Sequence, residues 1–210
     1  MKTGKLIAIN TVVFLIVIAV GIVGINYYQN TVNYISTDNA KVSGDMVPVT
    51  VVNAGKITDW TATVGQQVTE NEAIGKITGT STTSITSPIA GTIVQSKGMK
   101  GETVAPGQSL AQVVDLSKLY VIANIEETEI KNVSIGQDVD VIVDVDKGTT
   151  ISGKVTEIGK ATNSEFSLLP SQNASGDYTK EVEYVPVKIE LESYSAQVVP
   201  GMNATVNIHR

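Results

Sequence analysis

Two stretches of this 210-residue chain are the same stretch written twice, 36 residues apart. Ala54-Gly55-Lys56-Ile57 aligns with Ala90-Gly91-Thr92-Ile93, and Val64-Gly65-Gln66-Gln67-Val68 with Lys100-Gly101-Glu102-Thr103-Val104; Ile74 and Ile77 fall on Leu110 and Val113. Both copies read strand, tight turn, strand. Glycine recurs at the same offsets because each turn needs a residue that takes a positive φ or lets backbones pass closely. The β-branched positions between the glycines fill a small shared core. The duplication therefore predicts one flattened β-sandwich over 46–114, built from halves 46–78 and 84–114 facing each other.

The N-terminal part is of another kind. Leu6 to Ile25 is twenty residues with only Asn10 and Thr11 polar and no charge, which as a helix covers about 30 Å, the thickness of bilayer hydrocarbon. Lys2 and Lys5 precede it and the next basic residue is Lys41, so the positive-inside rule puts the N-terminus in the cytoplasm and the rest outside. Leu6, Phe14 and Ile25 are expected in this anchor, with Tyr27 and Tyr28 at its outer interface. The rival reading, a cleaved signal peptide, has a shorter apolar run and a small-x-small cleavage site that does not follow here. The expected topology is single-pass, with 1–28 as tail and transmembrane helix in the cytoplasmic membrane.

Composition narrows the rest. All 21 acidic residues but only 13 of the 15 basic ones follow the apolar run, a net of −8, which disfavours nucleic acid and anionic lipid surfaces. The chain has no cysteine, so disulfides, thiolate nucleophiles, lipoprotein acylation and cysteine zinc sites are excluded and burial alone must hold the fold. Arg210 is the only arginine and His209 the only histidine. No nucleophile with a base and no phosphate loop with its lysine stands out, so an enzyme is not expected.

From Ile35 onward short alternating apolar runs are separated by glycine, proline, asparagine and aspartate, an all-β pattern. Residues 29–45 read as a connector and first strand that joins a C-terminal domain, 115–210. Strands are expected near 119–125, 139–145, 151–158, 182–192 and 198–208, enough to close a small antiparallel barrel without exposed edges. One short helical turn is expected over Glu126–Val133, with Thr128 as its cap. A long loop, 161–178, carries Phe166, Leu168 and Leu169 in a polar setting and either tucks under the barrel or docks on a partner.

Asp138, Asp140, Asp144 and Asp146 alternate with valines, which places them on one face of a strand, nearly 7 Å apart in steps of two. That spacing suits a solvated face better than a calcium site with ligands about 2.5 Å from the ion. No metal site is expected.

The repeated halves resemble a biotinyl/lipoyl-like domain, down to Trp60 before the Val-Gly turn and Ser87-Pro88-Ile89-Ala90-Gly91 opening the second half. A carrier domain of that type presents a modified lysine on the hairpin between halves. Here the joining run, Thr78-Gly79-Thr80-Ser81-Thr82-Thr83-Ser84, has none, and Met99-Lys100 sits inside the second half, so no cofactor is expected. Tyr34-Ile35-Ser36-Thr37-Asp38-Asn39-Ala40-Lys41-Val42 is similar to the opening of the barrel in membrane fusion proteins, the adaptors of bacterial efflux and secretion systems. Leu119 to Thr128, Ile135-Gly136-Gln137, Phe166 to Gly176, Val185 to Ile189 and Val199-Pro200-Gly201-Met202 resemble the HlyD/EmrA-like periplasmic adaptor branch.

The resemblance implies a fold that is mainly β: an N-terminal transmembrane helix, a lipoyl-like sandwich and a small antiparallel β-barrel. It implies a multidrug efflux adaptor on an inner-membrane transporter of the major-facilitator drug/proton antiporter class, assembled as a homo-oligomer. An adaptor of an ATP-driven exporter and a lipoyl- or biotin-type carrier subunit remain as alternatives. Thr37, Asp38, Asn39, Asn124, Glu126, Glu127, Phe166, Leu168 and Leu169 are candidate contacts with the pump or a neighbouring protomer. Family members that bridge two membranes insert a long helical hairpin where this chain has only residues 78–84, too few for such a span at about 1.5 Å per helical residue.

Overall fold

The computed structural model describes residues 11, 13–21, 33–166 and 182–210. Residues 13–21 are helical, with Phe14 65% exposed, and no helix among the described residues is long and apolar enough to cross a membrane. Leu6, Ile25, Tyr27 and Tyr28 lie outside the described residues.

The first strand, β1 (Tyr34–Ser43), belongs to the barrel; the chain then builds a sandwich before returning. Its strands are β2 (Met46–Thr50), β3 (Gly55–Trp60), β4 (Gln67–Val68), β5 (Ala73–Thr78), β6 (Thr82–Thr86), β7 (Gly91–Ser96), β8 (Thr103–Val104) and β9 (Ser109–Val114). Each of β2 to β5 recurs at the same length 36 residues later as β6 to β9. The two sheets run β2-β9-β7-β4 and β6-β5-β3-β8. Every sheet thus takes two strands from each half, so neither half closes its core alone. Val49, Ile57, Val68, Ile74 and Ile77 and their equivalents Ile85, Ile93, Val104, Leu110 and Val113 are all at most 4% exposed.

The glycines of the repeat act through one turn, used again and again. In Thr63–Gln66, Thr69–Glu72, Met99–Glu102 and Ala105–Gln108 the fourth residue's N–H donates to the first residue's carbonyl at 3.1–3.2 Å. The third residue has positive φ: Gly65, Asn71, Gly101 and Gly107, the type II arrangement. The Gln or Glu at position four also accepts from the first residue's N–H, at 2.8–3.3 Å. Ser134–Gln137 repeats the device in the barrel.

The barrel closes as β1-β10-β13-β12-β11-β14, with β10 (Tyr120–Glu126), β11 (Asp138–Val143), β12 (Thr150–Ile158), β13 (Tyr184–Leu191) and β14 (Asn203–His209). All its pairings are antiparallel. Alternate residues of β10 and β13 are buried, as period-two patterning requires, and Val121, Ala123, Val141, Val187, Ile189, Val206 and Ile208 are fully enclosed.

Four expectations need correction. The joining run 78–84 is mostly strand: β5 extends to Thr78, β6 starts at Thr82, and Thr78 pairs with Thr82, because β-branched threonines favour the ladder. The helix over 126–133 shrinks to a 3-10 turn at Ile130–Asn132 preceded by Glu129, and no side chain caps it. Thr128 Oγ1 instead lies 3.4 Å from Glu126 Oε2. Asp144 and Asp146 are past the end of β11; Asp146 accepts from Gly148 N–H and Thr149 Oγ1 in a turn. The last strand starts at Asn203 rather than 198, since Gly201 at φ +95 turns the chain first. Within the expected long loop, Asn163–Phe166 form a 3-10 turn, while Leu168 and Leu169 lie outside the described residues.

Two crossings join the modules. A Cβ on Gly44 would meet Leu119 Cδ2 at 2.8 Å and Val114 Cγ2 at 2.9 Å, so the first admits only glycine without repacking. The Tyr194 hydroxyl accepts from Leu119 N–H at 2.7 Å and donates to Leu116 O at 3.0 Å, which pins the second. Tyr120 donates to Asp45 at 3.1 Å, and burial, with help from Asp45, pushes its hydroxyl pKa up.

Candidate interaction site at the barrel rim

The strand that leads into the sandwich, β1, begins at the opposite end of the barrel. Tyr34 pairs with His209, and Glu126 with Tyr184, so the start of β1, the end of β10, the start of β13 and the end of β14 form one rim. That rim is on the far side of the barrel from the sandwich.

Here β1 breaks register against β14 between Thr37 and Ala40. A bulge of this kind re-aims side chains, and a hydrogen-bond network holds it. Thr37 Oγ1 accepts from Asn39 N–H at 3.1 Å and donates to Asn124 O at 3.0 Å. Asn124 Nδ2 donates to Asn39 Oδ1 at 2.9 Å, and Asn163 Nδ2 donates to Asn124 Oδ1 at 2.8 Å. Asn124 therefore ties the bulge of the first strand to the start of the segment that follows β12.

Beside the network an open cleft of about 750 Å³ is lined by Tyr34, Asp38, Glu126, Glu129 and Tyr184 among others. Arg210 pairs with Glu129 at 2.7 Å and donates its backbone N–H to Asn33 O. Neither Asp38 nor Glu126 has a cationic partner among the described residues. The cleft offers negative charge and hydrogen-bond acceptors to whatever meets it.

Of the sequence candidates, Thr37, Asn39 and Asn124 are brought into direct contact, and Asp38 and Glu126 line the adjoining cleft. Glu127 lies beside it, its N–H donating to Glu183 O at 2.9 Å. Phe166 ends the 3-10 turn that Asn163 begins. Asn163, Tyr184 and Arg210 are members of the site that sequence reasoning misses. Arg210 does carry a signal: the only guanidinium in so acidic a chain has many carboxylates to choose from.

The strand-face aspartates divide. Asp138 pairs with Lys154, whose hydrogen bond and charge lower the Asp138 pKa while Asp138 raises that of Lys154. Asp140 lies 2.9 Å from His209 Nε2, and the His209 ring stands edge-on to Tyr34. Among the described residues no three His, Asp or Glu side chains converge as metal ligands would.

Residues 45–115 match the family described as YhbJ, barrel-sandwich hybrid domain, and residues 119–208 match the YknX-like beta-barrel domain. YhbJ of Bacillus subtilis (strain 168), named as a component of an efflux system, is 45% identical over 208 residues, covering 99% of this chain and 94% of YhbJ. The chain is a membrane fusion protein. It belongs to the EmrA-like adaptors, which are not enzymes. The multidrug export protein EmrA of Escherichia coli (strain K12) is 35% identical over 131 residues, 60% of this adaptor and 34% of EmrA. The adaptor thus spans about a third of that relative's length. A solved structure of the periplasmic adaptor protein EmrA aligns at a TM-score of 0.59 and 12% identity, over 85% of this chain and 99% of that one; at that identity the likeness concerns the fold alone.

Proposed function

We propose that this adaptor is anchored in the cytoplasmic membrane by residues 6–25, works in multidrug efflux and assembles as a homo-oligomer on a major-facilitator drug/proton antiporter. The observation that carries the reading is the placement of the rim. The Thr37–Asn39–Asn124 network and the acidic cleft stand at the end of the barrel where the chain arrives from the apolar run, so an anchored adaptor turns them toward the transporter's outer face. Asp38, Glu126 and Glu127 are then contacts for basic groups, and their charge steers the encounter.

At its other end the adaptor stops at a three-residue tip, Gly79–Ser81, in place of a helical hairpin. It braces or extends the exit path of its pump from one membrane only. A dedicated outer-membrane channel bound directly at this tip would refute that part of the reading.

The test is resistance in a drug-sensitised host expressing the full chain with the transporter encoded beside it. Resistance is expected to require both, and to fall when Glu126→Lys and Asp38→Lys reverse the rim charge. Resistance that persists without the adaptor overturns the proposal.

A further inference from the structure

The chain passes between barrel and sandwich at Gly44-Asp45 and again at Asp115–Leu119, and the two crossings touch, because Gly44 lies directly against the Leu119 and Val114 side chains. Two short connections side by side make a hinge line, about which two modules bend but do not twist. Whether they bend depends on contacts off that line. The sandwich side supplies little: an open cleft of about 310 Å³ is lined by Asp115, Leu116 and Ser117 of the linker and by Gln67, Thr69 and Thr92 of the sandwich. Packing therefore leaves the linker room to swing toward the sandwich. At the first crossing the bond from Tyr120 to Asp45 is exposed, where water competes for both groups.

The barrel side supplies Tyr194. It comes from the loop between β13 and β14, 75 residues beyond Leu119 and 78 beyond Leu116, and Tyr194 and Leu116 both pack against the barrel core. Its hydroxyl takes the Leu119 N–H and gives its own proton to the Leu116 carbonyl, so one oxygen acts as acceptor and donor at once and spans the linker. Among the described residues no other side chain from outside the linker hydrogen-bonds to it. Both bonds are part-buried, where an unpaired backbone group is costly.

We propose that Tyr194 locks this hinge, so that sandwich and barrel move as one rigid body and the distance from the barrel rim to the tip at Gly79–Ser81 is fixed. Without the hydroxyl the linker swings into the cleft and the sandwich tilts on the barrel, while each module keeps its own core. The lock belongs to the junction and holds whichever transporter the adaptor serves.

The chain has no cysteine, so introduced thiols carry spin labels without ambiguity. Thr80→Cys at the tip and Glu157→Cys on β12, both exposed, are labelled together in full-length protein in detergent, diluted with unlabelled chain so that only distances within one protomer are read. Double electron–electron resonance is expected to give a single narrow distance distribution for the otherwise wild-type chain. Tyr194→Phe is expected to widen it about twofold or more, as a freed hinge does, and Ser195→Ala, which removes a hydroxyl from the same loop, to leave it unchanged. Hydrogen exchange checks the fold of the variant: the Leu119 amide should exchange about tenfold faster or more in Tyr194→Phe, with the centres of β9 and β10 as protected as before. A broad distribution without Tyr194→Phe, a narrow one with it, or equal broadening by Ser195→Ala overturns the proposal. So does loss of protection throughout β9 and β10, which would make Tyr194 a support of the fold. None of these results bears on whether the barrel rim meets a pump.

Discussion

Trp60 donates its indole N–H to Ser96 Oγ at 3.0 Å, and the two residues occupy the same position in the two halves of the sandwich, 36 residues apart. Ser96 Oγ in turn donates to Ala62 O at 2.9 Å. The duplicated position has therefore diverged into a donor and its acceptor, and the pair fastens one half to the other. Ser96→Ala leaves the indole N–H and the Ala62 carbonyl unpartnered at a part-buried site, at a cost of about 1–3 kcal/mol. Urea unfolding monitored by circular dichroism checks it.

The indole also explains a glycine. A Cβ on Gly98 would stand 2.7 Å from Trp60 Cε2 and 2.9 Å from Cδ2. Gly98→Ala should destabilise by about 1–3 kcal/mol through overpacking, and should do so much less in a Trp60→Leu background. A double-mutant cycle without coupling would contradict this packing.

The repeated turns predict unequal tolerance at equivalent positions. Gly101 holds φ +96, and a methyl placed there would have only Lys56 Cε near it, at 4.0 Å, so Gly101→Ala costs backbone strain alone, about 1–2 kcal/mol. Gly107→Asn should cost less than Gly107→Ala, because Asn71 already holds φ +62 at the corresponding place. Melting temperatures of the three variants give the order directly.

The pH dependence at the Asp138–Lys154 pair has a definite sign. Lys154 holds the Asp138 carboxyl below its ordinary pKa, so the pair's stabilisation is present above the ordinary carboxylate range, about pH 4, and is lost as pH falls through the lowered value. Asp138, for its part, raises the Lys154 pKa, so that contribution is present below the ordinary lysine value and lost only at more alkaline pH. Asp138→Asn should therefore be less stable than wild type at neutral pH, with the gap narrowing on acidification below about pH 4. A gap that widens there contradicts the assignment.

At the rim, Asn124→Ala releases Asn39 and Asn163 together. Amide exchange in 37–40 and 160–165 should quicken, while the buried centre of β10 keeps its protection because its ladder to β13 is untouched. Exchange that quickens along the whole of β10 would mean that Asn124 supports the barrel and not the rim.

Much of this architecture is legible in the sequence because period and punctuation agree. The copies announce themselves through Gly65 and Gly101, and the inward set from Val49 to Val113 follows from alternation. What stays hidden depends on groups far apart in the chain. Nothing local tells that Asn124 meets Asn39 and Asn163, that Tyr194 pins Leu116 and Leu119, or that Arg210 reaches Glu129. The departures at 78–84 and 144–146 are of another sort: polar threonines look like linker where they extend a hairpin, and an alternating Asp-Val pattern runs on past the residue where a turn begins.

The central claim is that the adaptor meets its transporter with the barrel rim and not with the sandwich tip. Single cysteines at Asp38, Glu126 and Ser81, each in the otherwise cysteine-free full chain, can be joined to the transporter in membranes with a short thiol-to-amine cross-linker. Adducts at Asp38→Cys and Glu126→Cys with none at Ser81→Cys are the predicted result; an adduct at Ser81→Cys alone would contradict it.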